Sequence, residues 1–494
     1  MMKKIFYFLF LSAFGVLILS SCSDDDPLPK PNFTSVTVNG TAITESVSIP
    51  ISEEPITLRV LVENVQVAGY VWMVGEDVIE GATGSTYQLV PTHTGSYVFT
   101  VTARNQDGVA ASVTFTVNIT GTYKNGIFFY GTTYEDLAFF EPTTSTFHEG
   151  NIYKNVNGHM VGVNSMSGGI NDIYIYNNKL YMLTPKDYDS EGAKISVCDA
   201  QTLKEQKAIT AEGFDMSSLG YIYNMIPVNE NKFYIGYNPI SNISGIRVLN
   251  VNGDGTTAFS SEDIPGTGGK LGVDGPATFA RMLKNGEDVL AACGSKIQVI
   301  NSSDQVTKSI EIDLDKQIAD IVKGKDGKIY AVVTGATDKS SSMWPWMPTY
   351  TSSASIVTID PSTYTVTASK TLLDGETRLD IRAGLEANGA VASLTSDEIF
   401  FVVGMAYSPA KIYSYNYSNG TISLVMNQAG MSGSCGKYMA TDKEGMLYIP
   451  LIKTYNSCHT SVYRISDKQR MADIEAKIGV VKGDGGYIST YLFE

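Results

Sequence analysis

The chain has 494 residues, 51 of them acidic and 36 basic, for a net charge of −15. That balance, with no basic stripe along the sequence, excludes a nucleic-acid binder, because phosphate contacts need clustered Lys and Arg. The length exceeds one ordinary domain, and 29 Tyr and 46 Gly beside abundant Ser and Thr predict an all-β chain of many short strands joined by turns.

At the start, Lys3 and Lys4 precede an apolar run from Ile5 to Leu19, followed by Ser20, Ser21 and Cys22. A run of about 15 residues is short of the ~20 needed to span a bilayer, and small residues before a cysteine suit a signal peptidase. Leu19-Ser20-Ser21-Cys22 resembles a bacterial lipobox. The resemblance implies that residues 1–21 are removed and that Cys22 carries a diacylglycerol on its thiol and a third acyl chain on its amine. A soluble secreted chain with a chance cysteine is the alternative. Ser23-Asp24-Asp25-Asp26 resembles the acidic export tag of Bacteroidota-type lipoproteins, which implies an anchor on the outer face of the outer membrane; a periplasm-facing anchor is the other reading. Pro27, Pro29 and Pro31 predict a stiff tether over residues 22–31.

Residues 32–120 alternate apolar and polar positions in short runs, such as Ser35 to Val38, Ile56 to Val62 and Ser112 to Ile119, and read as strands of a small sandwich. Tyr70-Val71-Trp72, followed by the run Gly95 to Ala103 with Asn105 and Gly108, resembles the PKD/Ig-like modules of cell-surface proteins. Trp72 is expected in the core between two sheets. Such modules serve as spacers or protein contacts.

From residue 123 to 494 a strand-loop-strand-turn-strand unit recurs. One copy is Lys179 to Leu183, a loop, Ala193 to Asp199, then Thr202-Leu203-Lys204. Equivalents begin at Lys232, Asp288, Lys328, Glu398 and Met446, with a degenerate first copy at Gly126-Ile127-Phe128-Phe129-Tyr130. Seven copies at these spacings predict a seven-bladed β-propeller, since one blade cannot bury both faces alone. An open ring would leave strand edges unpaired, so the strand-like tail Gly486 to Phe493 is expected to pair into the blade begun near Gly126.

Lys194-Ile195-Ser196-Val197-Cys198-Asp199-Ala200-Gln201-Thr202 and Ser355-Ile356-Val357-Thr358-Ile359-Asp360-Pro361-Ser362-Thr363 resemble the blades of YncE-like propellers. Behind a lipobox and a PKD-like module, the chain is similar to the DUF5074 group of gut bacterial surface proteins. That group's relatives include B12-capturing propeller lipoproteins on TonB-dependent transporters, and similar propellers are linked to siderophore capture. The resemblance rests on structural motifs, so it speaks to fold far more than to ligand.

In a propeller the loop between second and third strands opens on the same face as the link to the next blade. Those loops contain Tyr188, Tyr237, the insertion Thr334 to Ser355 with Trp344, Trp346 and Tyr350, then Tyr407, and Tyr455 with His459; Tyr134 is the first-blade counterpart. Turns select Gly, Asn, Asp, Pro and Ser, so aromatics there suggest recognition. Chance placement and packing on neighbouring blades are the alternative in so Tyr-rich a chain. Met343-Trp344-Pro345-Trp346-Met347 crowds four large apolar side chains on a proline-stiffened loop, which points to a flat apolar ligand or another protein. At the start of the inner strands, Asn171, Asn224, Arg281, Asp320 and Arg382 are candidate polar contacts.

The four histidines, His93, His148, His159 and His459, have no metal-ligand spacing, and no GxSxG elbow is present. Asn250 to Gly255 resembles half a calcium loop, but Ser261 stands where a bidentate glutamate is wanted, so a hairpin turn is expected. No metal or cofactor is expected. After lipidation Cys198, Cys293, Cys435 and Cys458 remain, and only Cys435 with Cys458 is considered as a bridge. The expectation is a surface lipoprotein, not an enzyme, that captures a bulky nutrient for a TonB-dependent transporter, a corrinoid by resemblance. The alternatives are a glycan-binding or protein-interaction module and, third, a hydrolase or lyase.

Overall fold

The computed structural model describes residues 27–494 except 53, 132–133, 149, 163–168, 185–193, 211–220, 239–242, 271–273, 277–280, 339–348, 374–388, 404–410, 428–438, 455–456, 475–487 and 494. The chain divides into two compact units that meet at Ile119 and Thr120. The proposed signal segment, Cys22 and the acidic residues after it lie outside the described residues. Among the described residues, no helix is long and apolar enough to cross a membrane.

The first unit is built from two antiparallel sheets. One orders Thr41–Ile43, Phe33–Val38, Ile56–Val62 and Thr86–Leu89; the other orders Ser46–Pro50, Ala110–Thr120, Gly95–Asn105, Val67–Val74 and Asp77–Val78. Alternation along each strand sends every second side chain inward. Val36, Leu58 and Val60 of the first sheet therefore share one core with Trp72, Phe99, Val101 and Phe115 of the second. Trp72 is fully buried, edge-on to Phe99 and Phe115 with centroids 6.4 Å away. Its Nε1 donates to the Gly84 carbonyl at 2.8 Å. Trp72→Phe loses that bond and leaves part of the indole volume empty, so urea unfolding of residues 27–120 should report a loss of about 2 kcal/mol or more; an unchanged midpoint would show that neither the bond nor the packing contributes.

In the second unit the repeat seen in the sequence becomes seven sheets around a ring. Their middle strands, such as Lys179–Thr184 and Ile329–Val333, are buried on both faces, which explains the near-continuous apolar runs, whereas outer strands such as Val366–Thr371 are exposed. In Lys179–Thr184, Leu180 and Met182 enter the core shared with the first blade, whereas Tyr181 and Leu183 enter the core shared with the third. Each blade divides its side chains in this way, so seven cores form. The last joins Tyr448 and Val462 of the seventh blade to Ile127 and Phe129 of the first.

The ring closes as expected, with the final strand, Ile488–Phe493, pairing antiparallel to Gly126–Gly131 from Gly126 opposite Phe493 to Gly131 opposite Ile488. The first blade is thus completed by the end of the chain. Turn chemistry fixes the other corners. Asn177 and Asn178 both have positive φ, 49° and 58°, the two-residue hairpin geometry that matches strand twist. The Asp-x-x-Thr motif is a turn whose carboxylate replaces backbone partners: Asp199 Oδ1 accepts from the Gln201 and Thr202 amides and the Thr202 hydroxyl. Asp360 does the same with Ser362 and Thr363. The loop after Asn250 is likewise a turn, with Asp254 Oδ1 accepting from Thr256.

Candidate functional site

The innermost strands surround a channel. They are Ile488–Phe493, Asp172–Tyr176, Tyr221–Asn229, Leu283–Asn285, Ile318–Lys323, Val391–Ala392 and Ala440–Thr441, in blade order. The channel holds a cavity of about 310 Å³ lined from the first to the sixth blade, at the lower end of small-molecule pocket sizes. Its wall combines apolar side chains such as Met225, Ile321 and Val391 with Asp172, Arg281, Lys284 and Lys323.

Two aspartates tie neighbouring blades together at one end of this channel. Asp172 Oδ1 accepts from its neighbour's amide, Ile173 N, at 3.1 Å, and Oδ2 accepts from Met225 N of the third blade at 3.0 Å. Asp320 accepts from Ile321 N at 2.9 Å, from Arg281 N of the fourth blade at 3.3 Å and from Ala390 N of the sixth at 2.7 Å. Burial pushes the Asp320 carboxyl up to about 6, with Arg281 and the three amides opposing the rise. Arg281 extends its Nη2 to the Met439 carbonyl at 3.5 Å, which links the fourth blade to the seventh across the channel. Asn171 donates to the Ile222 carbonyl at 2.6 Å. Asn224 is buried on the third blade, and a Cβ at Gly236 would come within 3.0 Å of its Oδ1, so glycine there leaves room for the amide.

Strand register fixes which loops share that end. Asp172 lies opposite Leu183, Asn224 opposite Gly236 and Asp320 opposite Val332. The second strands of these blades therefore finish, at Thr184, Asn238 and Val333, toward the end of the channel that holds the aspartates. Tyr188, Trp344, Trp346, Tyr407, Tyr455 and Arg382 lie outside the described residues. Cys435 lies there too, as does the Cys458 side chain.

Four of the expected loop residues are buried in strands, which corrects their assignment as open-loop contacts, although Tyr350 does lie within the insertion. Tyr237 belongs to the strand Lys232–Asn238 and is buried in the contact between second and third blades. Its hydroxyl meets Asp263 Oδ1 at 2.7 Å, and Arg247 lies over its ring. Tyr350 is buried in the short pair Thr337–Asp338 with Thr349–Tyr350. His459 is buried in Ser457–Arg464 opposite Leu451, so it shares the face Leu451 turns to the sixth blade. Tyr134 is buried, and its hydroxyl receives the Asn151 amide at 2.9 Å. Other strand tyrosines are likewise committed: Tyr234 to Asp304, Tyr330 to Asp326 and Tyr448 to Asp442.

Asp172 was missed by sequence reasoning, although Asp172-Ile173 and Asp320-Ile321 occupy equivalent places before an inner-strand isoleucine and would have aligned. Among the described residues, no group of three His, Cys, Asp or Glu could hold a metal ion. The described cysteines, Cys198 and Cys293, are buried free thiols, and burial raises both well above the usual thiol range.

A family described as a domain of unknown function (DUF5074) matches residues 125–440. No curated protein matches the chain. Among solved structures, the chain is similar to a quinoprotein alcohol dehydrogenase-like protein from Bacteroides thetaiotaomicron, with a TM-score of 0.51 and 16% identity over 94% of this chain and 99% of that one. A periplasmic gluconolactonase from Pseudomonas aeruginosa follows at 0.47 and 9%, covering 72% and 97%. A putative 6-phosphogluconolactonase from Bacteroides uniformis gives 0.46 and 12%, covering 74% and 100%. The first likeness shows the propeller fold.

One expectation is corrected here. The sequence set the chain apart from enzymes, yet a protein described as quinoprotein alcohol dehydrogenase-like has the same fold, so that exclusion falls. The physical reason is that missing linear motifs exclude only linear motifs. A propeller assembles its site from residues of different blades, as with Asp172, Arg281 and Asp320.

Proposed function

The chain belongs to the DUF5074 family, and from that premise we propose that its propeller captures a bulky extracellular ligand on the face where the second-to-third-strand loops open. The observation that carries this reading is the placement of Asp172, Asn224, Arg281 and Asp320 at the channel end toward which the second strands of their blades finish. A ring of equivalent loops over a polar channel mouth offers apolar contact at the rim and hydrogen bonds at the centre, the composition of small-molecule sites. The ligand class comes from resemblance to B12-capturing propellers and is a corrinoid. In the same reading Cys22 is the lipid anchor on the outer membrane, and a TonB-dependent transporter receives the ligand. A second reading, favoured by Met343-Trp344-Pro345-Trp346-Met347, has these side chains stack on sugar rings or dock a partner protein.

A fluorescence titration of the lipid-free chain with cobalamin tests the first reading, since two of the three tryptophans lie in the insertion and corrinoids absorb their emission. Saturable quenching that Trp344→Ala/Trp346→Ala abolishes is the expected result. Absence of saturation removes the corrinoid and directs the same variants to glycans. The ligand's absorption spectrum, read in the same cuvette, reports any chemical change to it.

A further inference from the structure

We propose that the channel interior is a binding site for a small anion, a molecule carrying a carboxylate or phosphate on a compact apolar body. The cavity of about 310 Å³ brings Arg281 and Lys284 of the fourth blade together with Lys323 of the fifth, against one lining carboxylate, Asp172. In a chain with 51 acidic and 36 basic residues, this is a local reversal of charge. A recess with low-dielectric walls focuses such a field.

The lining groups suit an anion in detail. Asp172 is held by the Ile173 and Met225 amides and, at 3.5 Å, by the Tyr130 hydroxyl, so its charge is already turned toward donors. Lys284 Nζ donates to the Val228 carbonyl at 2.9 Å and lies 4.3 Å from the centre of the Tyr176 ring. Lys323 Nζ donates to Asn285 Oδ1 at 3.1 Å. Both lysines donate to neutral acceptors, and among the described residues neither forms an ion pair with a carboxylate. Burial pulls Lys284 below the usual lysine range, which an anion beside it would reverse. Met225, Met282, Leu283 and Ile321 supply apolar contact for the rest of the molecule. This inference shares Asp172 and Arg281 with the loop-face reading, but it rests on Lys284 and Lys323 and on none of that reading's aromatic side chains.

Calorimetric titration at low ionic strength with inorganic phosphate and, separately, citrate tests it; low salt is needed because screening weakens exposed charge interactions. Saturable binding of either probe, weakened about tenfold or more by Lys323→Met and by Arg281→Gln, is expected, and the preferred probe identifies the anion class. Lys323 is exposed, so its substitution leaves the fold intact even if Arg281→Gln does not. Trp344→Ala/Trp346→Ala should leave this binding unchanged. No saturation by either probe at millimolar concentration, or binding indifferent to Lys323→Met, overturns the proposal.

Discussion

A chain ending at residue 487 should melt at least about 10 °C below the full chain, or fail to accumulate as folded protein. Ile488–Phe493 forms six backbone pairs with Gly126–Gly131, and its loss strips the innermost strand from the first blade. Gly126 to Tyr130 are buried, so the exposed edge would be apolar as well as unpaired, a template for association. The contact of Tyr448 and Val462 with Ile127 and Phe129 would also lose its support on the channel side. The combined effect belongs among the rare losses above about 5 kcal/mol, which in a large unit lowers the melting point by about 2 °C or more for each kcal/mol. Differential scanning calorimetry measures it. A second transition unchanged in position would mean that six blades and a partial seventh hold together unaided.

Asp320 should make the fold less stable as pH rises from about 4 to about 7. Its carboxyl binds a proton more tightly in the folded chain, with a value of about 6 against 3.8, so proton uptake favours folding. That contribution is complete below the unfolded value and is lost as pH climbs through the folded one. At about 1.4 kcal/mol for each unit, the swing is about 3 kcal/mol. Asp320→Asn cannot ionise, but its NH2 group can only donate and would face one of the amides the carboxyl accepts from. The variant should therefore be the less stable near pH 4, and its stability should fall less than that of the natural chain between pH 4 and pH 7. Parallel denaturation curves across that range would show that the amides of Ile321, Arg281 and Ala390 keep the carboxylate ionised throughout. Asp320→Ala, by contrast, leaves those amides without their acceptor and should cost several kcal/mol at every pH.

The blades were legible because their signals are local and repeated. Leu180-Tyr181, Phe233-Tyr234 and Leu447-Tyr448 mark strands whose neighbours enter opposite cores, and Asp199 and Asp360 close turns within three residues of themselves. Ring closure was legible because a strand-like tail had no other edge to meet. The site was less so. Tyr237 and His459 were placed in loops because the strands run further than their apolar pattern: Lys232–Asn238 continues through Tyr237, and Ser457–Arg464 begins before His459. Asp172 and Asp320 look like ordinary polar residues beside isoleucines. Their partners come from other blades, at separations of 53 and 70 residues, and no spacing rule reports such distances.

Because the first blade receives its innermost strand from Ile488–Phe493, the ring cannot close until that segment has been made and has left the ribosome. Every form that lacks it presents the Gly126–Gly131 edge unsatisfied. Pairing across nearly the whole second unit also carries a large loop-closure cost before any contact repays it. Folding of this unit should therefore be slow and should follow synthesis of that strand. The same arrangement acts as a check on the second unit, since only a chain that carries Ile488–Phe493 can hide that edge.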